Sequence, residues 1–136
     1  MTQTRSDIIR AFVPESPLVQ HLGIELSELG HDSAELRLPY SPQLATVGDT
    51  VHGGAIAALL DTAGMAAAWA DDEVPETAGG ATVSLSVSYT AAARATDLIA
   101  RARVVRRGRS MCFCEATVTE PEGRVVAHGT LVHRYG

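Results

Sequence analysis

Basic charge is scarce in this chain: 11 Lys and Arg stand against 16 Asp and Glu, a formal charge of -5 over 136 residues. Phosphate binding needs a net or clustered basic surface, so the balance weighs against a nucleic-acid module. Long apolar runs are missing too. Asp61 interrupts the best candidate, "VHGGAIAALLDTAGMAAAWA" from Val51 to Ala70, short of the roughly 20 charge-free residues a membrane span requires. The opening "MTQTRSDIIRAF" lacks the apolar core of a signal peptide, and a cytoplasmic location is the expectation. Cysteines number only 2. Cys112 and Cys114 share one side of a strand, about 7 Å apart along the chain, too far for easy bridging. They lack the second pair a metal site needs and any nearby base, so they read as packing residues and free thiols in a reducing compartment. Internal repeats and low-complexity linkers are absent. The length fits a single hydrophobic core.

Residues 1–21 read as a leading helical arm and 22–136 as the domain proper. Ser6 to Phe12 predicts a short helix, and "SPLVQHLG" another turn or two begun by its proline. "GIELSEL" and "SAELRLPY", joined by "GHD", alternate as the two strands of a hairpin between Gly23 and Tyr40. "SPQLATVGDT" is a loop leading into the alanine-rich helix, and "DDEVPETAGG" takes the chain out of it. "ATVSLSVSY" then sets Val83, Leu85, Val87 and Tyr89 on one face and Thr82, Ser84, Ser86 and Ser88 on the other. "TDLIARARVVR", "SMCFCEATVTE" and "GRVVAHGTLVHR" continue as three more strands with short turns between them, compatible with antiparallel pairing. Two strands, one long helix and four strands make an α+β layout. A helix apolar around nearly its whole circumference must be wrapped, here by a curved antiparallel sheet.

Asp61 has Ala57, Ala58, Gly64 and Met65 at its helical neighbour positions, so no local cation answers it. Burial raises a carboxyl pKa and suits it to accept a proton or attack a carbonyl; without such use, it serves as a hydrogen-bond partner for a neighbouring strand hydroxyl. At the helix start, Gly53 and Gly54 offer amides left unpaired in the first turn, at the positive end of the dipole, with no side chain in a ligand's way. His52 caps or packs there. Gly53 and Asp61 stand eight residues apart, about 12 Å along a helix, too far for both to touch one carbonyl. Two copies that set the start of one helix against the middle of the other bring amide and carboxylate together twice per dimer.

These residues resemble the hot-dog thioesterases of the phenylacetate-degradation (PaaI-like) type. In that family a His-Gly-Gly segment opens the central helix and an aspartate follows nine residues after the histidine, matched here by His52, Gly53, Gly54 and Asp61. The likeness runs from about Leu22 to His133 and takes in "LLDTAG", "ATVSLSVSY" and "GRVVAHGTLVHR". It implies a hot-dog fold and hydrolysis of an acyl thioester, usually on coenzyme A, which belongs to substrate and product; no metal or further cofactor is implied. Asp61 would be general base or nucleophile, and the Gly53 amide of the neighbouring subunit would polarise the carbonyl. Thr82 matches a serine or threonine that orients the aspartate and its water. His52 shapes the helix start. The assembly implied is a homodimer or a dimer-of-dimers tetramer.

Two positions depart from the pattern. Thr46 stands where the family commonly has an asparagine that assists the carbonyl or water, and Asp49 where a glycine is usual. A hydroxyl is shorter and differently aimed than an amide, which weakens catalysis or shifts the task to another donor in the 41–51 loop. Arg106, Arg107 and Arg109 flank a turn glycine and are candidates for coenzyme phosphates. With Arg101 and Arg103, they read equally as a solvated strand face. Leu60, Met65 and Trp69 are candidates for an acyl pocket and equally for the core. A binding protein for acyl thioesters that has lost efficient turnover is the alternative. A hydratase on the same fold fits less well, since His52 and Asp61 lack the spacing for shared proton transfer.

Overall fold

The computed structural model describes residues 2–136. Helix α1 spans Arg5–Glu15, longer at both ends than the heptapeptide the sequence predicts. Its start is set by a capping box: the Thr4 hydroxyl accepts from the Asp7 N–H, and the Thr4 N–H donates to the Asp7 carboxylate, satisfying two first-turn donors. Ile9 and Val13 are buried, which joins the arm to the main core. Helix α2, Pro17–Leu22, begins on its proline and ends at Gly23, whose φ of 81° is the left-handed conformation of a helix stop.

Strands β1 (Glu25–Gly30) and β2 (Ser33–Leu38) form the expected hairpin. Helix α3, Gly53–Ala68, follows a loop held by Val51 N–H to Ala93 O (2.8 Å) and His52 N–H to Leu44 O (2.7 Å). Then come β3 (Gly80–Tyr89), β4 (Leu98–Arg107), β5 (Met111–Thr119) and β6 (Val125–Tyr135). The six strands make one sheet in the order β1-β2-β4-β5-β6-β3, every pair antiparallel. The hairpin β1-β2 and the run β4-β5-β6 pair in chain order. β3 lies at the far edge against β6, and residues 90–97 carry the chain across to β4, which takes the place beside β2.

The sheet curls around α3, the hot-dog arrangement. Leu59, Leu60, Ala63, Ala66, Ala67 and Ala68 are fully enclosed, so the helix is apolar on nearly all sides because it meets protein on nearly all sides. Glycines permit the close approach. A Cβ on Gly64 would lie 1.4 Å from Leu131 Cδ2, and one on Gly129 would lie 2.5 Å from the Ser86 carbonyl oxygen. Cys112 and Cys114 point the same way into the core, their sulfurs 3.9 Å apart and unbridged. Among the described residues no helix is long and apolar enough to cross a membrane.

One irregularity positions the site. The β3–β6 register slips between Thr82 and Ser84, so two residues of β3 oppose one of β6 and the side-chain alternation changes phase. Beyond the slip, Leu85, Val87 and Tyr89 pair with Leu131, Gly129 and Ala127 on the inner face; before it, Thr82 pairs with buried His133 and shares that same face. Uninterrupted alternation would send the Thr82 hydroxyl to the outside.

Candidate active site

Asp61 lies halfway along α3, on the side turned toward the β3 edge, and is half-buried rather than fully desolvated. Thr82 donates its hydroxyl to Asp61 Oδ1 at 2.7 Å. The carboxylate is thereby fixed in rotation about its last torsion while its second oxygen keeps its lone pairs. The pair spans helix and strand and depends on the register slip for its geometry.

The start of α3 is organised by His52. Its Nδ1 accepts from the Gly54 N–H at 2.7 Å, which consumes the Gly54 amide and orients the ring at the helix start. The Gly53 N–H makes no hydrogen bond among the described residues, so it is the free donor of the first turn. Tyr89 donates its hydroxyl to Gly53 O at 2.8 Å, and its ring would touch a Cβ on Gly53 at 3.3 Å. This tyrosine, noticed in the sequence only as the aromatic end of a strand, ties the helix start to the edge strand. Gly53, Ile56, Tyr89 and exposed Thr46 border an open cleft of about 410 Å³. The structure thus gathers Thr46 and Gly53 at one place and Asp61 and Thr82 at another.

The arginines divide. Arg107 is only 21 % exposed, and its guanidinium donates to Ala68 O (2.7 Å), pairs with Asp32 (2.6 Å) and Asp71 (3.0 Å), and meets the Tyr135 hydroxyl. Those contacts hold Arg107, which the sequence offered as a candidate for coenzyme phosphates, in an internal brace between α3, β6 and the β1–β2 turn. Arg109 is exposed beside the turn glycine, Gly108. Arg101 and Arg103 pair with Glu35 and Glu115 across the outer sheet face, as a solvated strand face does.

A second cavity, about 190 Å³, opens one helical turn beyond Asp61, between Met65 of α3, Trp69 just past its end, Ile8, Ile9 and Phe12 of α1, Gly79, Gly80 and His133. Leu60, by contrast, is wholly buried against Gly129 and belongs to the core. His133, which sequence reasoning passed over as one more strand residue, is 2 % exposed. Its Nε2 accepts from the Trp69 indole N–H at 2.8 Å, which leaves the ring proton on Nδ1, a buried donor without a partner. Such an orphan costs about 1–3 kcal/mol.

Burial holds the His133 imidazole below its usual value; the Asp61 charge opposes this and Arg5 adds to it. A histidine whose folded pKa lies under its unfolded value of about 6.5 binds its proton more weakly when folded. Its contribution is therefore whole above that pH and is lost as pH falls from there through the folded value. The thermal midpoint should drop as pH is lowered below about 6.5, and His133→Gln, which keeps an acceptor for Trp69, should flatten that decline in a calorimetric series.

Known proteins resemble this chain over most of its length. Residues 48–127 match the family model described as the thioesterase superfamily, a segment that contains His52, Gly53, Asp61 and Thr82. A Halobacterium salinarum protein named as a candidate esterase is 37 % identical over 128 residues, covering 92 % of this chain and 84 % of its own. The crystal structure of a thioesterase family protein from Silicibacter pomeroyi superposes with a TM-score of 0.88 at 26 % identity, over 97 % of this chain and 99 % of that one. The Escherichia coli PaaI protein shares the fold at a TM-score of 0.83, 16 % identity, 97 % of this chain and 94 % of its own. The chain belongs to the thioesterase superfamily, with a hot-dog fold of the PaaI-like kind.

Proposed function

We propose that this protein hydrolyses acyl-CoA thioesters as a homodimer, or a pair of such dimers, with each active site built from two subunits. The observation that carries the reading is the separation of the two chemical groups on one helix. The free Gly53 N–H and the Asp61–Thr82 pair stand about 12 Å apart, and beside both runs β3, an edge strand with one side unpaired. Such an edge is a template for a second strand. Val83 and Tyr89, each 51 % exposed, and Leu85 lie along it. Antiparallel pairing of two β3 strands about a two-fold axis sets the start of each α3 against the middle of the other.

In that arrangement the thioester carbonyl accepts a hydrogen bond from Gly53 of one subunit, at the positive end of the helix dipole. Asp61 of the other either takes a proton from the attacking water or attacks the carbonyl itself, held in place by the Thr82 hydroxyl. The C–S bond breaks and coenzyme A leaves as the thiolate. Exposed Arg106 and Arg109, on either side of the turn glycine, are the candidates to meet its phosphates. The chemistry needs no metal or further cofactor. Thr46 brings a hydroxyl to the Gly53 cleft where the family commonly has an amide, which supports a slow enzyme and, in the limit, a binding protein for the same esters.

The test is release of free thiol from short aliphatic, medium-chain and aromatic acyl-CoA esters, read with a disulfide reagent. Turnover of at least one ester class is expected. Tight binding of esters with no thiol released from any would overturn hydrolysis and leave the binding protein.

A further inference from the structure

The N-terminal arm builds one wall of the cavity beyond Asp61. Along α1 the apolar residues Ile8, Ile9 and Phe12 recur at helical spacing on one face, and all three border that space. The arm is anchored. The Arg5 guanidinium pairs with Asp71 at 2.9 Å, the Ser6 hydroxyl donates to Asp71 O at 2.9 Å, and the Arg5 N–H donates to Glu73 O at 2.8 Å. Asp71 and Glu73 follow closely on α3, so the first turn of the arm is tied to the tail of the helix that carries Asp61. Ile9 and Val13, both buried, hold the next turns against the core. Phe12 is 50 % exposed and also borders the cavity, which puts it at the rim, between the enclosed space and solvent.

Across from the arm, Met65 lies one turn past Asp61 on the same side of α3. His133 is the cross-strand partner of Thr82 and near enough for the Asp61 charge to act on its ring. A group attached to a carbonyl held at Asp61 therefore has this space as its neighbour. No side chain there answers a polar guest: the Trp69 indole N–H and His133 Nε2 satisfy each other at 2.8 Å, and His133 Nδ1 is buried. Size is the second limit. An apolar cavity of roughly 150 Å³ accepts a benzene, so one of about 190 Å³ takes a single ring or a chain of about six carbons. We infer that Ile8 and Phe12 of the arm are specificity-determining residues, which close the acyl site so that it accepts a compact hydrocarbon group and turns away a long chain. The inference rests on the reading of Asp61 as the centre of a thioester site.

Binding as a function of chain length tests it separately from turnover. The chain has 1 tryptophan, Trp69, which borders the cavity, so its fluorescence reports occupancy. Butanoyl-, hexanoyl-, octanoyl- and decanoyl-CoA are titrated into Asp61→Asn, in which the proposed chemistry is disabled. Each methylene that enters apolar space is worth about fourfold in affinity, so binding should tighten roughly fifteenfold from butanoyl to hexanoyl and gain nothing further by decanoyl. Adding Phe12→Ala opens the rim and should move the point at which affinity levels off toward octanoyl and decanoyl. Adding Ile8→Phe fills the space and should move that point below hexanoyl. Opposite shifts from two positions on one helix face are not the result of weakened folding, which would lower every affinity alike. Affinity that keeps rising through decanoyl with the arm unaltered, a profile that stays in place in both variants, or no change in Trp69 fluorescence with any ester overturns the inference. A length limit that moves with the arm in a protein that releases no thiol upholds it while removing hydrolysis; thiol release with no length limit does the reverse.

Discussion

Asp61→Asn should lower the rate of thiol release by about 10²–10⁴-fold, the usual worth of a positioned base, with the oligomer and the thermal midpoint little changed. The substitution is nearly isosteric, and an asparagine carbonyl still accepts the Thr82 hydroxyl that now reaches Oδ1 at 2.7 Å. What it removes is the charge and the second lone-pair oxygen, the two things a base or nucleophile requires. Because the loss is confined to the chemical step, kcat should fall while KM holds. A burst of thiol ahead of steady state, with an acyl group trapped on the wild-type chain, would mark Asp61 as the nucleophile; single-phase release would mark it as the base. Equal activity in Asp61→Asn would reduce the carboxylate to a partner for Thr82.

Gly53→Pro should cost about 10²–10³-fold in kcat, the loss seen when one oxyanion donor is removed. Proline suits the first position of a helix and deletes the N–H that, among the described residues, has no other partner. The stronger result comes from mixing. If Gly53 and Asp61 act across a two-fold axis, each mixed dimer of Gly53→Pro with Asp61→Asn holds one site with both defects and one with neither. An equal mixture allowed to exchange subunits should then recover about one quarter of the wild-type rate from two proteins that are each nearly inactive. Failure to recover activity in dimers shown to be mixed would place both groups in the same subunit.

The parts of this molecule that were legible in its sequence are those set by local chemistry. Alternation in "SAELRL" marks β2, the apolar circumference of 53–68 marks a wrapped helix, and the helix start is visible in His52-Gly53-Gly54. What alternation cannot show is which strand becomes an edge. β3 and β4 follow each other in the chain, yet they stand apart in the sheet because β2 and β6 each need a partner. Nor does it show the slip at Thr82, since a bulge is a property of a strand pair and not of one strand. The bracing of Arg107 was hidden for a related reason: in sequence it stands among other arginines beside a turn, whereas Asp32, Asp71 and Tyr135, which engage it, come from three distant segments. His133 gave no signal either, because its role depends on Trp69 occupying one of its nitrogens.

That Arg107 brace makes the two poles of α3 unequal. At the tail, a full positive charge sits against the Ala68 carbonyl, joined there by the Tyr135 hydroxyl, so the negative end of the helix is screened from inside the protein. At the head no carboxylate stands in the first turn, and the one residue that caps it, His52, accepts through a ring nitrogen and occupies Gly54 alone. The field of sixteen aligned residues is muted at Ala68 and left standing at Gly53, where a developing negative charge on oxygen would use it.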